Sequence, residues 1–241
     1  MAAMKPQSFG ELTPKVVLGI AAHPDDLDFG AGGTLATFAQ QGAQIHYVQI
    51  TDGCKGSADP NLSCQEVAEL RQHEQQAACD AIGGTAVHFL SHTDGELQAT
   101  LELKAELVKL IRELKPDVVI TTDPSSFYDA RYGIINHADH RAAGEAAIDA
   151  VYPLARDHLT FPELGEPHKV ATVLITTFSD HNYFVDITGA LNAKLAAVKA
   201  HASQVSNYDD MASMFTDMAT ELGQSAGYRY AEGFVRLDVT P

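Results

Sequence analysis

Five side chains in two short clusters have the types and spacing to hold a metal ion and hydrolyse a bond beside it: His23, Asp25, Asp26, His137 and His140. His23 and Asp26 stand three apart in Ala22-His23-Pro24-Asp25-Asp26, and a turn begun at Pro24 brings both to one point. An imidazole and a carboxylate there suit a divalent ion. Zinc commonly takes two histidines and one carboxylate and keeps an open position for water. The third ligand must come from elsewhere, and His137-Ala138-Asp139-His140 can supply it through His137 or His140. Asp25 is then left over. A carboxylate beside a metal-activated water can act as general base while that water attacks a carbonyl. The structural alternative is that Asp25 and Asp26 cap a helix and His23 is a surface residue. The second histidine cluster and the spare aspartate favour the chemical reading.

These clusters need elements to bring them together. Residues 16–22 form an apolar run without alternation, which predicts a strand buried on both faces. A helix is expected over 33–41, a strand over 45–51, and a helix over 64–82 stopped by Gly83-Gly84. A strand over 85–90 precedes a helix over 100–114, whose Leu101, Leu107, Leu110, Ile111 and Leu114 make one stripe. Then come a strand over 118–121, a long loop over 123–136, an Ala-rich helix over 137–152 and a strand over 170–178. Such alternation predicts an α/β fold: a mostly parallel sheet with helices on both faces, a Rossmann-like three-layer sandwich. Ligands bind at the carboxyl ends of strands in such sheets. Polar residues follow four successive strands here: His23 to Asp26, Asp52 to Gly56, His92 to Gly95, and Asp123 with His137 to His140. No composition break marks a second domain. We expect one domain over 1–241, with a core over 16–153 and a C-terminal α/β elaboration over 154–241, helical over 191–201 and 211–222 and strand-like over 230–239.

Composition narrows the function. The chain has 241 residues, 45% hydrophobic and 20% charged, the balance of a soluble globular protein. Its net charge of −16 argues against nucleic acid and anionic membrane as partners, since both need basic surface. No apolar stretch reaches the ~20 residues of a membrane span, and residues 1–14 hold no apolar core of signal-peptide length. Three cysteines, Cys54, Cys64 and Cys79, are too few and too uneven for a disulfide framework or a Cys-rich zinc site. A reducing, cytoplasmic location is the expectation, with Cys54 a small buried thiol. Gly30, Gly32 and Gly33 do not make a dinucleotide fingerprint, because the third glycine position is Leu35 and polar residues separate the glycines from the strand.

Ala22-His23-Pro24-Asp25-Asp26 followed by Gly32-Gly33-Thr34-Leu35 resembles the signature of the PIG-L (LmbE-like) N-acetylglucosaminyl deacetylase family. Further matches follow in order: Thr51-Asp52-Gly53 with Gly56, Arg71 with Glu74, Asp94-Gly95, Pro116 to Val119, and His137 with Asp139-His140-Arg141. The resemblance is strong over 16–150. It extends weakly through Lys199 to Gln204 and to Ala231-Glu232 with Phe234. Ala138 stands where many members have Pro, a change in loop stiffness and not in any ligand.

The resemblance implies a zinc-dependent hydrolase that removes acetyl from an N-acetylated amino sugar or its conjugate. It implies His23, Asp26 and His140 as metal ligands and Asp25 as general base. His137 would stabilise the oxyanion or protonate the leaving amine, with Asp139 positioning it. Arg71 and Asp94 match positions that contact sugar hydroxyls, their alternative being a structural ion pair with each other. The implied partner is a small N-acetyl sugar, and the implied assembly a homo-oligomer. A His₂Asp site also accepts iron(II), cobalt or manganese. Two other readings use the same residues: an amidase of sugar-thiol conjugates, and a non-catalytic metal- or sugar-binding module. A binding module has no need of Asp25. His201 is open between a surface and a site residue. The loop over 123–136, with Phe127, Tyr128, Arg131 and Tyr132, is expected as a lid over the substrate.

Overall fold

The structure is a computed structural model that describes residues 10–130 and 133–239. The first half runs β1 (Val16–Ala21), α1 (Asp26–Gln40), β2 (Gln44–Thr51), α2 (Cys64–Ile82), β3 (Ala86–His92), α3 (Leu101–Leu114) and β4 (Val118–Thr122). A short hairpin, β5 (Tyr128–Asp129) and β6 (Ile134–Ile135), leads to α4 (Ala138–Asp149). The remainder is β7 (Thr172–Thr176), β8 (Tyr183–Asp186), α5 (Leu191–Ala200), α6 (Tyr208–Ala226) and β9 (Ala231–Asp238). Seven strands form one sheet in the order β3-β2-β1-β4-β7-β9-β8. The pairs from β3 through β7 are parallel, and β9 runs antiparallel to both β7 and β8.

The apolar run of β1 is buried on both faces because helices cover both. Val17 and Ala21 pack with Leu27, Leu35, Ala78, Ile82 and Ala197 of the layer made by α1, α2, α5 and α6. Leu18, Ile20 and Ala22 pack with Leu107, Ile111, Ala143 and Ala147 of the opposite layer, α3 and α4. The order of strands reverses at β1, which has β2 on one side and β4 on the other. A crevice opens at the carboxyl ends of strands at such a point. The loops after β1 and after β4 carry the two histidine clusters to it.

Several expectations need correction. The first helix begins at Asp26 and not at residue 33. Three glycines near its middle weaken helix propensity, but tertiary bonds replace what is lost. The Glu232 carboxylate on β9 accepts from the Gly33 and Thr34 amides, and Lys194 donates to the Phe29 carbonyl. These contacts explain why the Gly32-Gly33-Thr34 and Ala231-Glu232 stretches occur together. The segment over 123–136 is not a plain loop, since β5 and β6 pair within it; Arg131 and Tyr132 lie outside the described residues. The connection before β7 is fixed by Arg112, buried on α3, which donates to the carbonyls of Leu154, Ala155, Asp157, Thr160, Phe161 and Gly165.

The cysteine reading also changes. Cys54 is not a thiol but forms a disulfide with Cys64, ten residues on. The loop after β2 turns back to the first residue of α2, which composition alone does not reveal. The argument from unpaired cysteines to a reducing compartment therefore loses its premise. Cys79 is the free cysteine and is buried. Among the described residues, no helix is long and apolar enough to cross a membrane.

Candidate metal centre and active site

Beyond β1 the chain turns at Pro24, and α1 starts with Asp26. Asp25 occupies the cap position but makes no side-chain capping bond, so capping is not its role. The Asp26 carboxylate turns back, accepting from the His23 amide through Oδ2 at 2.9 Å. Its other oxygen lies 3.0 Å from His140 Nε2, and its Oδ2 lies 3.6 Å from His23 Nδ1. Donor atoms at about 2.0–2.2 Å from one tetrahedral ion stand about 3.3–3.6 Å apart. Each separation is near that spacing, but they run to different oxygens of Asp26, so Asp26 stands between the two imidazoles and could ligate through either oxygen.

Hydrogen bonds set which ring nitrogen each histidine offers. Asn136 donates from Nδ2 to the carbonyls of Asp123 and Ser126, which turns its Oδ1 toward His140 Nδ1 at 3.1 Å. His140 must donate there, and its Nε2 lone pair is left facing Asp26. His23 Nε2 lies 3.1 Å from Asp94 Oδ1 and 3.3 Å from Asp139 Oδ2, so it is the protonated nitrogen and Nδ1 is free to ligate. Such supporting partners are the usual second half of a metal site.

His137 also lies in the cluster. Ligand atoms of His23, His137 and His140 fall within 4.8 Å of one another, so position alone permits His137 as the third ligand. Its hydrogen bonding argues otherwise. His137 Nδ1 accepts from the Asp139 amide at 3.2 Å as the cap of α4. A neutral ring that accepts at Nδ1 carries its proton on Nε2. His137 thus presents an N–H donor, while His140 Nε2 and His23 Nδ1 are the nitrogens that would give up a proton and offer lone pairs to a bound cation.

The charges form a pattern. Burial opposes a charge on His23, but Asp26 and Asp94 outweigh it and push its pKa up to about 10. Burial acts likewise on His140, and Asp26 again reverses the sign. Burial would raise the Asp26 carboxyl, yet His140 and His23 hold it well below the usual range. Asp94 is held at about 2 against its burial by His23 and the Lys55 amide. The pocket is thus anionic and stabilises added positive charge, as a cation site requires. His137 is the exception: burial and the neighbouring His23 lower its pKa, which keeps it neutral. Asp25 is pushed up to about 7, first by burial and then by Asp26, with Arg71 opposing.

Other expected residues sit differently from their expected roles. The Asp139 side chain does not reach His137. It accepts from the Gly95 and Leu97 amides and approaches His23, and only its backbone amide orients His137. Arg71 and Asp94 do not pair with each other. Arg71 donates to the carbonyls of Gly53 and Pro24 and to Asp25 Oδ2. A side chain at Gly53 would strike the Arg71 guanidinium, and φ there is +63°, so both space and conformation require glycine. Arg71 and Asp94 are 4% and 5% exposed, which limits what they can offer a sugar. His201 is fully buried against Asp28.

Sequence reasoning missed Asn136. Its signal was a polar residue next to one histidine and one helical turn before another. We expect Asn136→Leu to weaken divalent-metal affinity by about 10–100-fold, the usual cost of losing a supporting residue. Competition with a chelator measures it, and an unchanged affinity refutes the role.

Known proteins resemble this chain in both sequence and fold. Residues 18–151 match the PIG-L family, described as GlcNAc-PI de-N-acetylase. The chain is 34% identical over 224 residues to the diacetylchitobiose deacetylase of Thermococcus kodakarensis, covering 91% of this chain and 82% of that one. It is 32% identical over 242 residues to the 1D-myo-inositol 2-acetamido-2-deoxy-alpha-D-glucopyranoside deacetylase of Rhodococcus erythropolis, covering 79% and 81%. The fold superposes on the N,N'-diacetylchitobiose deacetylase of Pyrococcus horikoshii with a TM-score of 0.84 at 30% identity, covering 93% of this chain and 84% of that one. With the matched span including both histidine clusters and the strands that carry them, the chain belongs to the PIG-L family.

Proposed function

We propose that the protein is a zinc-dependent N-deacetylase that hydrolyses the acetamide of an N-acetylated amino sugar or a conjugate of one. The observation that carries this is Asp25, a half-buried carboxylate beside His23, Asp26 and His140 that neither caps its helix nor is needed as a ligand. In this reading His23 Nδ1, Asp26 and His140 Nε2 hold the ion. A divalent ion held there supplies Lewis acidity and lowers the pKa of water it binds. Asp25 accepts the proton of the attacking water, a role suited to a carboxyl raised toward neutrality. The His137 Nε2–H donates a hydrogen bond to the oxygen on which negative charge develops. Asp25 then returns the proton to the departing amine. Asp139 and Asp94 orient His23, and the Asp139 amide orients His137. Any contact of Arg71 or Asp94 with sugar hydroxyls is secondary to these bonds.

The relatives act on diacetylchitobiose and on an acetamido-glucopyranoside of inositol, so those compounds and N-acetylglucosamine make the test panel. The metal-loaded protein should release free amine and acetate from at least one of them. Chelation should abolish the release, and zinc or cobalt should restore it. If no amine forms from any of them, or release is indifferent to chelator, the proposal fails.

A further inference from the structure

Asp25 has a φ of 112°, a region that residues other than glycine rarely adopt. Such a conformation persists only where its surroundings over-determine it. Rotation about this φ turns the Pro24–Asp25 peptide, and both ends of that peptide are bonded to α2. The Pro24 carbonyl accepts from Arg71, and the Asp25 amide donates to Gln75 Oε1 at 3.0 Å. Arg71 and Gln75 are four residues apart and so lie on one helix face.

Gln75 is itself fixed. Its Oε1 also accepts from Gln49 Nε2 at 2.8 Å, and its Nε2 donates to Asp28 Oδ2 at 2.8 Å. Asp28 further accepts from the Tyr47 hydroxyl at 2.7 Å and from His201 Nε2 at 2.8 Å. Tyr47, Gln49, Gln75, Asp28 and His201 are all fully buried. None of them can meet a substrate. Burying so many polar groups is unfavourable unless each is paired, and apolar side chains would fill the same volume more simply. Within this network the bond that reaches the metal pocket is the one from Gln75 to the Asp25 backbone. The turn that carries His201 also grips α2 and the loop after β2: Ser203 bonds Glu74, and Gln204 donates to the Gly56 carbonyl.

We infer that Gln75, set in place by Asp28 and His201, is a positioning residue that keeps the Pro24–Asp25 peptide turned and so holds the Asp25 carboxylate beside Asp26 and Arg71. The inference rests on the proposed role of Asp25 as base. It also gives the 199–204 segment a function: the C-terminal part of the chain closes the back of the site.

The test compares Gln75→Met, His201→Leu and His201→Gln with the wild type, all metal-loaded. Gln75→Met keeps the volume but removes the acceptor of the Asp25 amide. We expect kcat per metal-loaded molecule to fall about 10–100-fold, with KM and metal content little changed. A merely structural residue would instead reduce the folded fraction and leave kcat per folded molecule alone. The His201 Nδ1 has no partner among the described residues, so its bond to Asp28 is its polar contribution. Glutamine can place an amide donor where Nε2 stands. His201→Gln should therefore recover most of the kcat lost in His201→Leu, and this pair decides the matter if Gln75→Met does not fold. A crystal structure of Gln75→Met should show Asp25 outside the positive-φ region. Wild-type kcat in Gln75→Met, or no loss in His201→Leu, overturns the inference while leaving the deacetylase reading intact. Should the wild type deacetylate nothing, that reading fails by itself. The Asp25 φ in Gln75→Met then decides the clamp: a retained value near 112° overturns it.

Discussion

Replacing Asp25 by asparagine should leave metal content at the wild-type level and lower kcat by about 10² to 10⁴, the usual contribution of a general base. The substitution suits the site because asparagine nearly matches aspartate in shape and leaves the backbone bond from the Asp25 amide to Gln75 in place. It removes the proton acceptor and the ion pair with Arg71, but no metal ligand in the proposed set. KM should change little, because an interaction made only in the transition state affects kcat and kcat/KM equally. The wild-type pH profile should agree. A base works deprotonated, so the rate rises with pH through the pKa of Asp25. Burial and Asp26 push that pKa up to about 7, and a divalent ion nearby pulls it down. The acid limb should therefore lie at or below about pH 7 and vanish in Asp25→Asn. If Asp25 only shaped the start of α1, the variant would lose stability and keep its kcat per folded molecule. Measuring metal content, melting temperature and kcat together separates these results.

Asp26→Ala should fail in a different way, although it alters the adjacent residue. The Asp26 carboxylate stands between His140 Nε2 and His23 Nδ1 and accepts from the His23 amide. Losing it should weaken metal binding by more than the roughly 10–100-fold that a supporting residue costs, and activity should fall in step. A second readout needs no metal. In the apoprotein Asp26 raises the pKa of both His23 and His140 against the effect of their burial. Without it both imidazoles should titrate at lower pH, which NMR follows directly. An Asp26→Ala protein that keeps its metal at wild-type affinity would exclude Asp26 as a ligand.

The contrast between these two neighbours shows what was legible from residue order. The layered fold was legible, because strands and helices alternate and β1 is apolar without alternation, a pattern that only a strand covered on both sides can satisfy. The location of the pocket followed from it, since polar residues mark the strand ends. The family was legible because its motifs are local in sequence. Element boundaries were less so. The early start of α1 was not legible, and the support its glycine-rich middle receives comes from Glu232, almost two hundred residues away, which accepts from the Gly33 and Thr34 amides.

Sequence by itself determined which residue types converge: two imidazole clusters and a surplus carboxylate at adjacent strand ends. Tertiary structure alone decided what each can do there. Which nitrogen a histidine offers depends on the partner of the other nitrogen. Asn136 supplies that partner for His140, Asp94 and Asp139 for His23, and a backbone amide for His137. Likewise Arg71 and Asp94, expected to contact sugar hydroxyls, turned to Asp25 and His23. The disulfide and the burial of His201 were invisible for the same reason. Proton placement, burial and pairing are properties of neighbours in space, and spacing along the chain fixes them only where those neighbours lie within one turn.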